Sequence, residues 1–185
     1  FTIMIVYTGG GLGIGKRIPI DGAGDAWLPT HGGHSIVEIS SSGSFLSGAN
    51  GYTGGGLSGP TGVAIDLSGD VWTANGTNNS VTRLSSSGSF VSGTNGYTGG
   101  GLSLPDGVAI DGSGNAWIPN IGGSSVSEIS AAGTFLSGAG GYSGGGLSFP
   151  ESIAIDGAGN VWIPNYAAST VTELSSSGVV LSGPT

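Results

Sequence analysis

The sequence predicts an all-β fold built from four repeated units, and three observations support this prediction. The four tryptophans recur every 45 residues, at Trp27, Trp72, Trp117 and Trp162. Each unit contains short apolar and β-branched runs between glycine-rich turns, which is typical of strands. No segment shows the 3.6-residue period of an amphipathic helix, and the spacing of the 41 glycines would interrupt one.

The 45-residue repeat divides the chain without gaps. The units are 6–50, 51–95, 96–140 and 141–185, and only Phe1–Ile5, which we predict to be an N-terminal strand, lies outside them. An aspartate and a tyrosine set keep the same step: Asp21, Asp66, Asp111 and Asp156, and Tyr7, Tyr52, Tyr97 and Tyr142. We therefore expect a single domain over 1–185 made of four structural repeats.

The third unit shows the predicted strands. Gly107–Asp111 is a short apolar inner strand, and Ala116–Asn120 is the second strand, which contains a proline. Ser125–Ser130 alternates polar and apolar residues, and Thr134–Ser137 is a short fourth strand. Four strands in about 45 residues predict a β-propeller blade, and we expect each unit to carry its own four strands. A parallel β-helix, which needs much shorter coils, is the minor alternative.

Three units share the pattern Pro-x-Gly-Val-Ala-Ile-Asp-x-x-Gly-x-Val-Trp-x-x-Asn in whole or in most positions, at Pro60–Asn75, Pro105–Asn120 and Pro150–Asn165. This pattern resembles the NHL-repeat β-propellers, and tryptophan in place of their frequent tyrosine is similar to the virginiamycin B lyase-like propellers. The resemblance implies a ring of blades, usually six. In the lyase-like enzymes it implies a histidine, a glutamate and magnesium on one face, but no residue here matches that motif closely. The first unit departs from the pattern, because Gly15 replaces the proline.

Four blades leave three arrangements open. The chain could close alone as a four-bladed ring, form half of an eight-bladed ring as a homodimer, or be a fragment of a longer protein. We favour the half-ring, because the small residues Ala64, Ala109 and Ala154 on the inner strands suit shallow packing angles between blades. The apolar Phe1–Val6 could add to a blade edge or bury itself against a partner.

Composition excludes several classes of protein. Three Lys and Arg residues against eleven Asp and Glu give a net charge of −8, which argues against nucleic acid as a partner. The chain has no cysteine and no apolar stretch long enough to span a bilayer. Richness in Ser, Thr, Gly and Asn with one lysine suits an extracellular, periplasmic or cell-surface bacterial protein, and no signal peptide is visible, as in a mature or trimmed chain.

Few side chains offer chemistry, and we predict no catalytic residue and no cofactor. His31 and His34 are weak candidates for a catalytic or metal-binding pair, but a solvated loop explains them better. The glycines from Gly10 to Gly15 and Lys16 nearly form a phosphate-binding loop, but no Ser or Thr follows the lysine. The four repeated aspartates are typical caps of turns, and as a ring they could hold a structural cation in the channel. One further position, predicted to point outward for solubility, carries Glu38, Arg83, Glu128 and Glu173.

The most suggestive surface is the set of loops at one end of the predicted blades. It would collect aromatic rings and amides that suit a glycan or a protein: Tyr52, Tyr97, Tyr142, Asn75, Asn120, Asn165 and Tyr166. Alternatively, the tyrosines wedge between blades. We therefore expect a non-catalytic extracytoplasmic binding or scaffold module. The alternatives are a lyase-like metal-dependent enzyme that uses His31 and His34, and a surface or filament subunit.

Overall fold

A computed structural model describes residues 6–13, 15 and 17–182 of the chain. The predicted N-terminal strand Phe1–Ile5 and Lys16 lie outside the described residues. The described residues form four antiparallel sheets and no helix, which confirms the all-β propeller fold. We number the sheets as blades 1 to 4 in chain order. Their strands are β1 (Ala26–Thr30), β2 (Ser35–Ile39) and β3 (Tyr52–Thr53) in blade 1; β4 (Pro60–Ile65), β5 (Val71–Asn75), β6 (Ser80–Leu84) and β7 (Tyr97–Thr98) in blade 2; β8 (Ala109–Ile110), β9 (Ala116–Asn120) and β10 (Ser125–Ile129) in blade 3; and β11 (Ala154–Ile155), β12 (Val161–Asn165) and β13 (Thr170–Leu174) in blade 4.

The two middle strands form the most regular part of each blade. In blade 3, β9 and β10 pair over their full length, with Trp117 opposite Glu128 and Asn120 opposite Ser125. The hairpin turn between them ends on Ser124, whose φ of 44° is left-handed. His34, Asn79 and Ser169 occupy the equivalent position with φ between 50° and 55°. Asn and His, found at two of these positions, are among the non-glycine residues that adopt this conformation most often.

The outer strand of each blade differs from the prediction. In the predicted fourth strand Thr134–Ser137, only Phe135 forms a bridge, with Ile129. The strand that completes blade 1 is instead β3, where Tyr52 pairs with Ile36. Likewise β7 completes blade 2, and Tyr142 forms a bridge with Val126 in blade 3. The outer strand of a blade therefore comes from the following sequence unit, which corrects the expectation that each unit carries all four of its strands.

A glycine lets the outer strand return to its blade. Gly51, just before β3, has a φ of 73°, and a Cβ there would lie 2.8 Å from the carbonyl oxygen of Ile36. Only glycine permits both the left-handed backbone and this close approach. The repeated Gly-Tyr dipeptide thus marks the start of the outer strand.

The hydrophobic cores lie between blades. We call the side of each sheet that carries the repeated tryptophan its Trp face. The Trp face of one blade packs against the opposite face of the next, as where Trp72 and Val81 of blade 2 meet Val108 and Ile118 of blade 3. Equivalent cores join blade 1 to blade 2 and blade 3 to blade 4. The described residues contain no helix that could cross a membrane.

Candidate functional site

The repeated aspartate binds the turn after the inner strand and the tryptophan of its own blade. In blade 3, one oxygen of Asp111 accepts hydrogen bonds from the backbone N–H groups of Ser113 and Asn115. The other oxygen accepts the indole N–H of Trp117 at 3.0 Å. The same arrangement recurs around Asp21, Asp66 and Asp156. Each aspartate is thus fixed beside its own turn, and a structural cation held by the ring of these aspartates remains a prediction.

The predicted binding tyrosines lie between blades. The ring of Tyr52 stacks on Trp27 with a centroid distance of 5.8 Å, and Tyr97 and Tyr142 stack in the same way on Trp72 and Trp117. Offset ring stacking of this kind adds about 0.5–1.5 kcal/mol to the burial of the rings. Each junction between consecutive blades therefore contains one Trp–Tyr pair.

The glutamates beside these pairs are buried, so the prediction that they point to solvent is wrong for two of them. Glu38 and Glu128 are 4% and 3% exposed, and Glu173 is half-buried. The hydroxyl of Tyr52 donates to Glu38 Oε2 at 2.6 Å, and that of Tyr142 donates to Glu128 Oε2 at 2.7 Å. Strand alternation does place these residues on one face, but the next blade covers that face.

Burial sets the ionisation of the two glutamates. Desolvation raises the pKa of Glu38, and although the hydrogen bond from Tyr52 opposes the rise, the nearby charges of Asp25 and Asp21 add to it. Desolvation also raises the pKa of Glu128, with Asp111 adding to the rise. For Asp21, partial burial acts upward, but hydrogen bonds from Trp27 and three backbone N–H groups leave its pKa lowered.

One acidic group in blade 1 has the geometry to hold a cation. Asp21, Asp25 and Glu38 each place a carboxylate oxygen within 4.8 Å of the others. In blade 2 the equivalent space holds the guanidinium of Arg83, which binds both aspartates there. In blade 3 the amide of Asn115 bridges Asp111 and Glu128. The same position thus holds a group of carboxylates in blade 1, a guanidinium in blade 2 and an amide in blade 3.

The predicted binding asparagines turn their amides inward. Asn75 is fully buried and donates to Ser80 Oγ and Thr82 Oγ1, while its oxygen accepts the backbone N–H of Ser58 at 3.3 Å. Asn120 and Asn165 make the equivalent bonds in blades 3 and 4. These amides tie a hairpin to the loop beside it. Any binding role for these three residues remains a prediction.

The two histidines are exposed and belong to the turn between β1 and β2. His34 Nδ1 accepts the backbone N–H of Gly59 from the next blade at 2.8 Å. Asn79 Oδ1 accepts the N–H of Leu104 in the same way one unit later. His34 therefore serves a linking role that asparagine fills elsewhere, a parallel visible in the 45-residue alignment. The structure brings no carboxylate into a hydrogen bond with either ring among the described residues.

A surface lies beside these links, and of its residues only Tyr166 was identified from the sequence. Leu104 and Phe149 are 53% and 49% exposed and adopt left-handed φ values of 45° and 49°. Their backbone oxygens accept N–H groups of Ile121 and Tyr166, and Tyr166 is 75% exposed. We call these four residues the loop face. The available signal was that Leu104 and Phe149 replace Gly59 at a repeated position.

The Trp face of blade 4 carries a cleft of about 440 Å³. Its lining includes Pro164, Asn165, Tyr166 and Val171, with Glu151 and Ser152 at the entry of the blade. The other three blades bury this face against the next blade. The cleft is thus the unfilled half of a blade junction, and it adjoins the loop face at Tyr166.

No known family model matches the chain, nor does any curated protein. Among solved structures, the chain is similar to virginiamycin B lyase from Staphylococcus aureus, with a TM-score of 0.71 at 20% identity over 88% of this chain and 53% of that one. A catalytically inactive form of that lyase with quinupristin gives a TM-score of 0.73 at 19% identity over the same shares. Hydrazine synthase from Kuenenia stuttgartiensis gives 0.69 at 14% identity, over 97% of this chain and 50% of that one.

This chain spans about half the length of these structures. Identities of 14–20% speak for the fold and not for the activity. The succession of three- and four-stranded antiparallel sheets with cores between them agrees with the same architecture. The chain therefore has the fold of the virginiamycin B lyase-like β-propellers.

Proposed function

We propose that this chain is a non-catalytic, NHL-like β-propeller module that works outside the cytoplasm of a bacterium and contacts a glycan or a protein through its loop face. The observation that carries the proposal is the left-handed, exposed placement of Leu104 and Phe149. A bulky residue in this backbone region costs of order 1–3 kcal/mol. Here only about half of each side chain is buried, so burial offsets only part of that cost. Strain kept at an exposed apolar position is typical of a contact surface.

The chemistry of the loop face suits a ligand with both flat apolar and polar parts. Phe149 and Tyr166 provide two aromatic rings from adjoining loops, joined by the hydrogen bond from the Tyr166 N–H to the Phe149 carbonyl at 3.2 Å. Exposed aromatic rings bind sugar rings by stacking and bind protein side chains by burial. The low share of charged residues, 8% of the chain, favours a neutral partner.

The recurring polar groups support a non-catalytic role because they are used in the architecture. His34 accepts a backbone N–H across a blade junction, and the repeated aspartates bind turn amides and an indole. Catalysis requires titratable groups that converge on one place where a substrate can react. The aspartates instead recur once per blade, and Asn79 fills the position of His34 one unit later.

A glycan array tests the proposal, with the unmodified chain, Tyr166→Ala and Phe149→Gly compared on neutral oligosaccharides. We expect binding by the unmodified chain and at least a tenfold loss for each variant. Leu136→Gly is the matched control, because Leu136 is 49% exposed on the outer part of blade 3. For a protein partner, a photo-crosslinker at position 166 should capture a defined secreted protein, and one at position 136 should not. Failure of both arms with a folded chain would refute the proposal.

The enzyme alternative rests on the similarity to the virginiamycin B lyase structures. If His31 and His34 formed a metal-dependent lyase site, the chain with added magnesium would convert quinupristin, the compound named with one of those structures. We expect intact quinupristin by mass spectrometry. A product that disappears in His31→Ala would reverse the assignment.

A further inference from the structure

The three junctions inside the chain follow one pattern. A Trp face supplies a tryptophan, and a tyrosine on the edge of the same sheet stacks its ring on that tryptophan. This tyrosine lies in a Tyr-Thr outer strand in blades 1 and 2 and forms a single bridge in blade 3. The register is constant, because Tyr52 pairs with Ile36, Tyr97 with Val81 and Tyr142 with Val126. The three tryptophans at these junctions are fully buried.

Blade 4 has the first half of this junction without the second. Trp162 is 41% exposed and Val171 is 54% exposed, whereas Trp117 and Val126 at the equivalent positions of blade 3 are 0% exposed. Within the described residues, no strand corresponding to β3 or β7 lies beside Thr170–Val171 on the outer edge of β13. This edge leaves backbone groups open to pairing with another strand.

Blade 1 has the second half without the first. Ile18 is 58% exposed on its free face, whereas Val63, at the equivalent position of blade 2, is 6% exposed. Tyr7–Thr8 repeats the Tyr52–Thr53 sequence one unit earlier. Tyr7 lies against Gly43 of blade 1, just as Tyr52 of blade 1 lies against Gly88 of blade 2. Tyr7 therefore already contacts the blade that would follow it across a junction.

One chain does not bring these halves together. Arg17 Nη2 donates to Ser152 Oγ at 3.1 Å and links the entries of blades 1 and 4. The tryptophan and the isoleucine nevertheless stay exposed, and Tyr7 remains on blade 1. The two free surfaces are complementary because they are the two sides of an interface that the chain forms three times.

We propose that a second copy of this chain fills the open Trp face of blade 4, with Tyr7–Thr8 of each copy forming the outer strand of blade 4 in the other. The internal register places Tyr7 opposite Val171 of the partner copy and its ring on Trp162. Glu173 stands where Glu38 and Glu128 accept tyrosine hydroxyls, so it would accept that of Tyr7. Two identical junctions would close the pair with two-fold symmetry. This inference is independent of the proposed ligand.

Disulfide trapping tests the proposal, because the chain contains no cysteine. In the double variant Tyr7→Cys with Val171→Cys, directly opposed positions would oxidise to a bond between copies. We expect a covalent dimer on a non-reducing gel, and light scattering of the unmodified chain should give twice the 17.8 kDa of one chain. Tyr7→Cys with Val91→Cys is the control, because Val91 lies on the outer part of blade 2 and should give no specific dimer.

Other results overturn the proposal. A disulfide within one chain would show that blade 4 is closed by its own N-terminal segment. A monomer without a disulfide would leave the face to further blades or to another protein. Val171→Asp, which keeps the junctions among blades 1 to 3, should turn the dimer into a folded monomer, whereas Val91→Asp should leave it dimeric.

Discussion

Arg83 in blade 2 occupies the position of Glu38 in blade 1, and the two side chains meet equivalent aspartates with opposite charge. Arg83 Nε donates to Asp70 Oδ2 at 2.9 Å, and Nη2 donates to Asp66 Oδ2 at 3.1 Å. Its guanidinium also lies 4.7 Å from the ring centroid of Trp72. Blade 2 thus pairs its two aspartates with a cation, while blade 1 keeps three neighbouring carboxylates.

Removal of this cation should destabilise the chain. Arg83→Ala leaves Asp66 and Asp70 partly buried without their partner, and loss of one partner from a buried ion pair costs about 3–5 kcal/mol. Arg83→Lys should cost less because it keeps the charge but loses the planar fork. Urea unfolding measures both changes. A cost under about 1 kcal/mol for Arg83→Ala would show that solvent already screens the pair.

The reverse exchange in blade 1 should stabilise the chain. Glu38→Arg would place a guanidinium between Asp21 and Asp25 as in blade 2, at the expense of the hydrogen bond from Tyr52. Each hydrogen bond to a charged group is worth roughly 1.5–3 kcal/mol. The two new bonds to the aspartates should therefore outweigh the one lost from Tyr52, and we expect the free energy of unfolding to rise by about 1 kcal/mol. Thermal unfolding would show it as a higher Tm. Glu38→Gln is the control without a cation, and a lower Tm for Glu38→Arg would contradict the prediction.

The aspartate that binds the tryptophan should matter most where the tryptophan is buried. Asp111→Ala leaves the indole N–H of the fully buried Trp117 without an acceptor and the turn without its cap, for a cost of about 2–4 kcal/mol. Asp156→Ala is the matched control, because Trp162 is partly exposed and water can replace the carboxylate. Equal costs in urea unfolding would contradict this reasoning.

Local pattern predicted the parts of the fold that depend on local interactions. β9 spans Ala116–Asn120 as predicted, because a short run of strand-forming residues next to a tight turn can be recognised in the sequence. The pairing of Tyr52 with Ile36 could not be predicted, because the glycine-rich run around Tyr52 carries no strand pattern and its partner lies in the preceding unit. The phase of the strands relative to the repeat therefore came only from the structure.

The candidate site was predicted less well than the fold. Alternation assigned Glu38 to a face but could not tell that the next blade covers it. Asn75 looks like a ligand-binding amide in sequence, but its bonds to Ser80 and Thr82 depend on the register of the hairpin. Leu104 escaped attention because a left-handed φ at a bulky residue runs against its preference.

Relief of backbone strain on the loop face should stabilise the chain. Leu104→Gly removes the cost of a left-handed bulky residue and should stabilise the chain by roughly 0.5–1 kcal/mol. Leu136→Gly is the control, since a comparably exposed residue outside the left-handed region should lose stability through backbone entropy. Thermal unfolding measures both changes. Destabilisation by Leu104→Gly equal to that by Leu136→Gly would mean that position 104 stores no strain.

Mild acid should stabilise the chain through its buried glutamates. The pKa values of Glu38 and Glu128 are raised in the folded chain above their ordinary value of 4.5, mainly by burial, so folding favours the protonated forms. Their contribution to the free energy of unfolding therefore grows as the pH falls through the raised pKa values and is complete below about 4.5. Asp21 and Asp156 have the opposite effect, because their pKa values are lowered in the folded chain. The stability that they contribute is lost only as the pH falls below about 3.8.

The resulting stability maximum should lie in the mildly acidic range. As the pH falls from about 7 to about 4.5, Tm should rise, and the double variant Glu38→Gln with Glu128→Gln should flatten that rise because an amide does not titrate. Glu151→Gln is the control, since Glu151 is exposed at the entry of blade 4, and its curve should follow that of the unmodified chain. If the double variant keeps the full rise, the reduction of the net charge of −8 is its cause, and the buried glutamates are not.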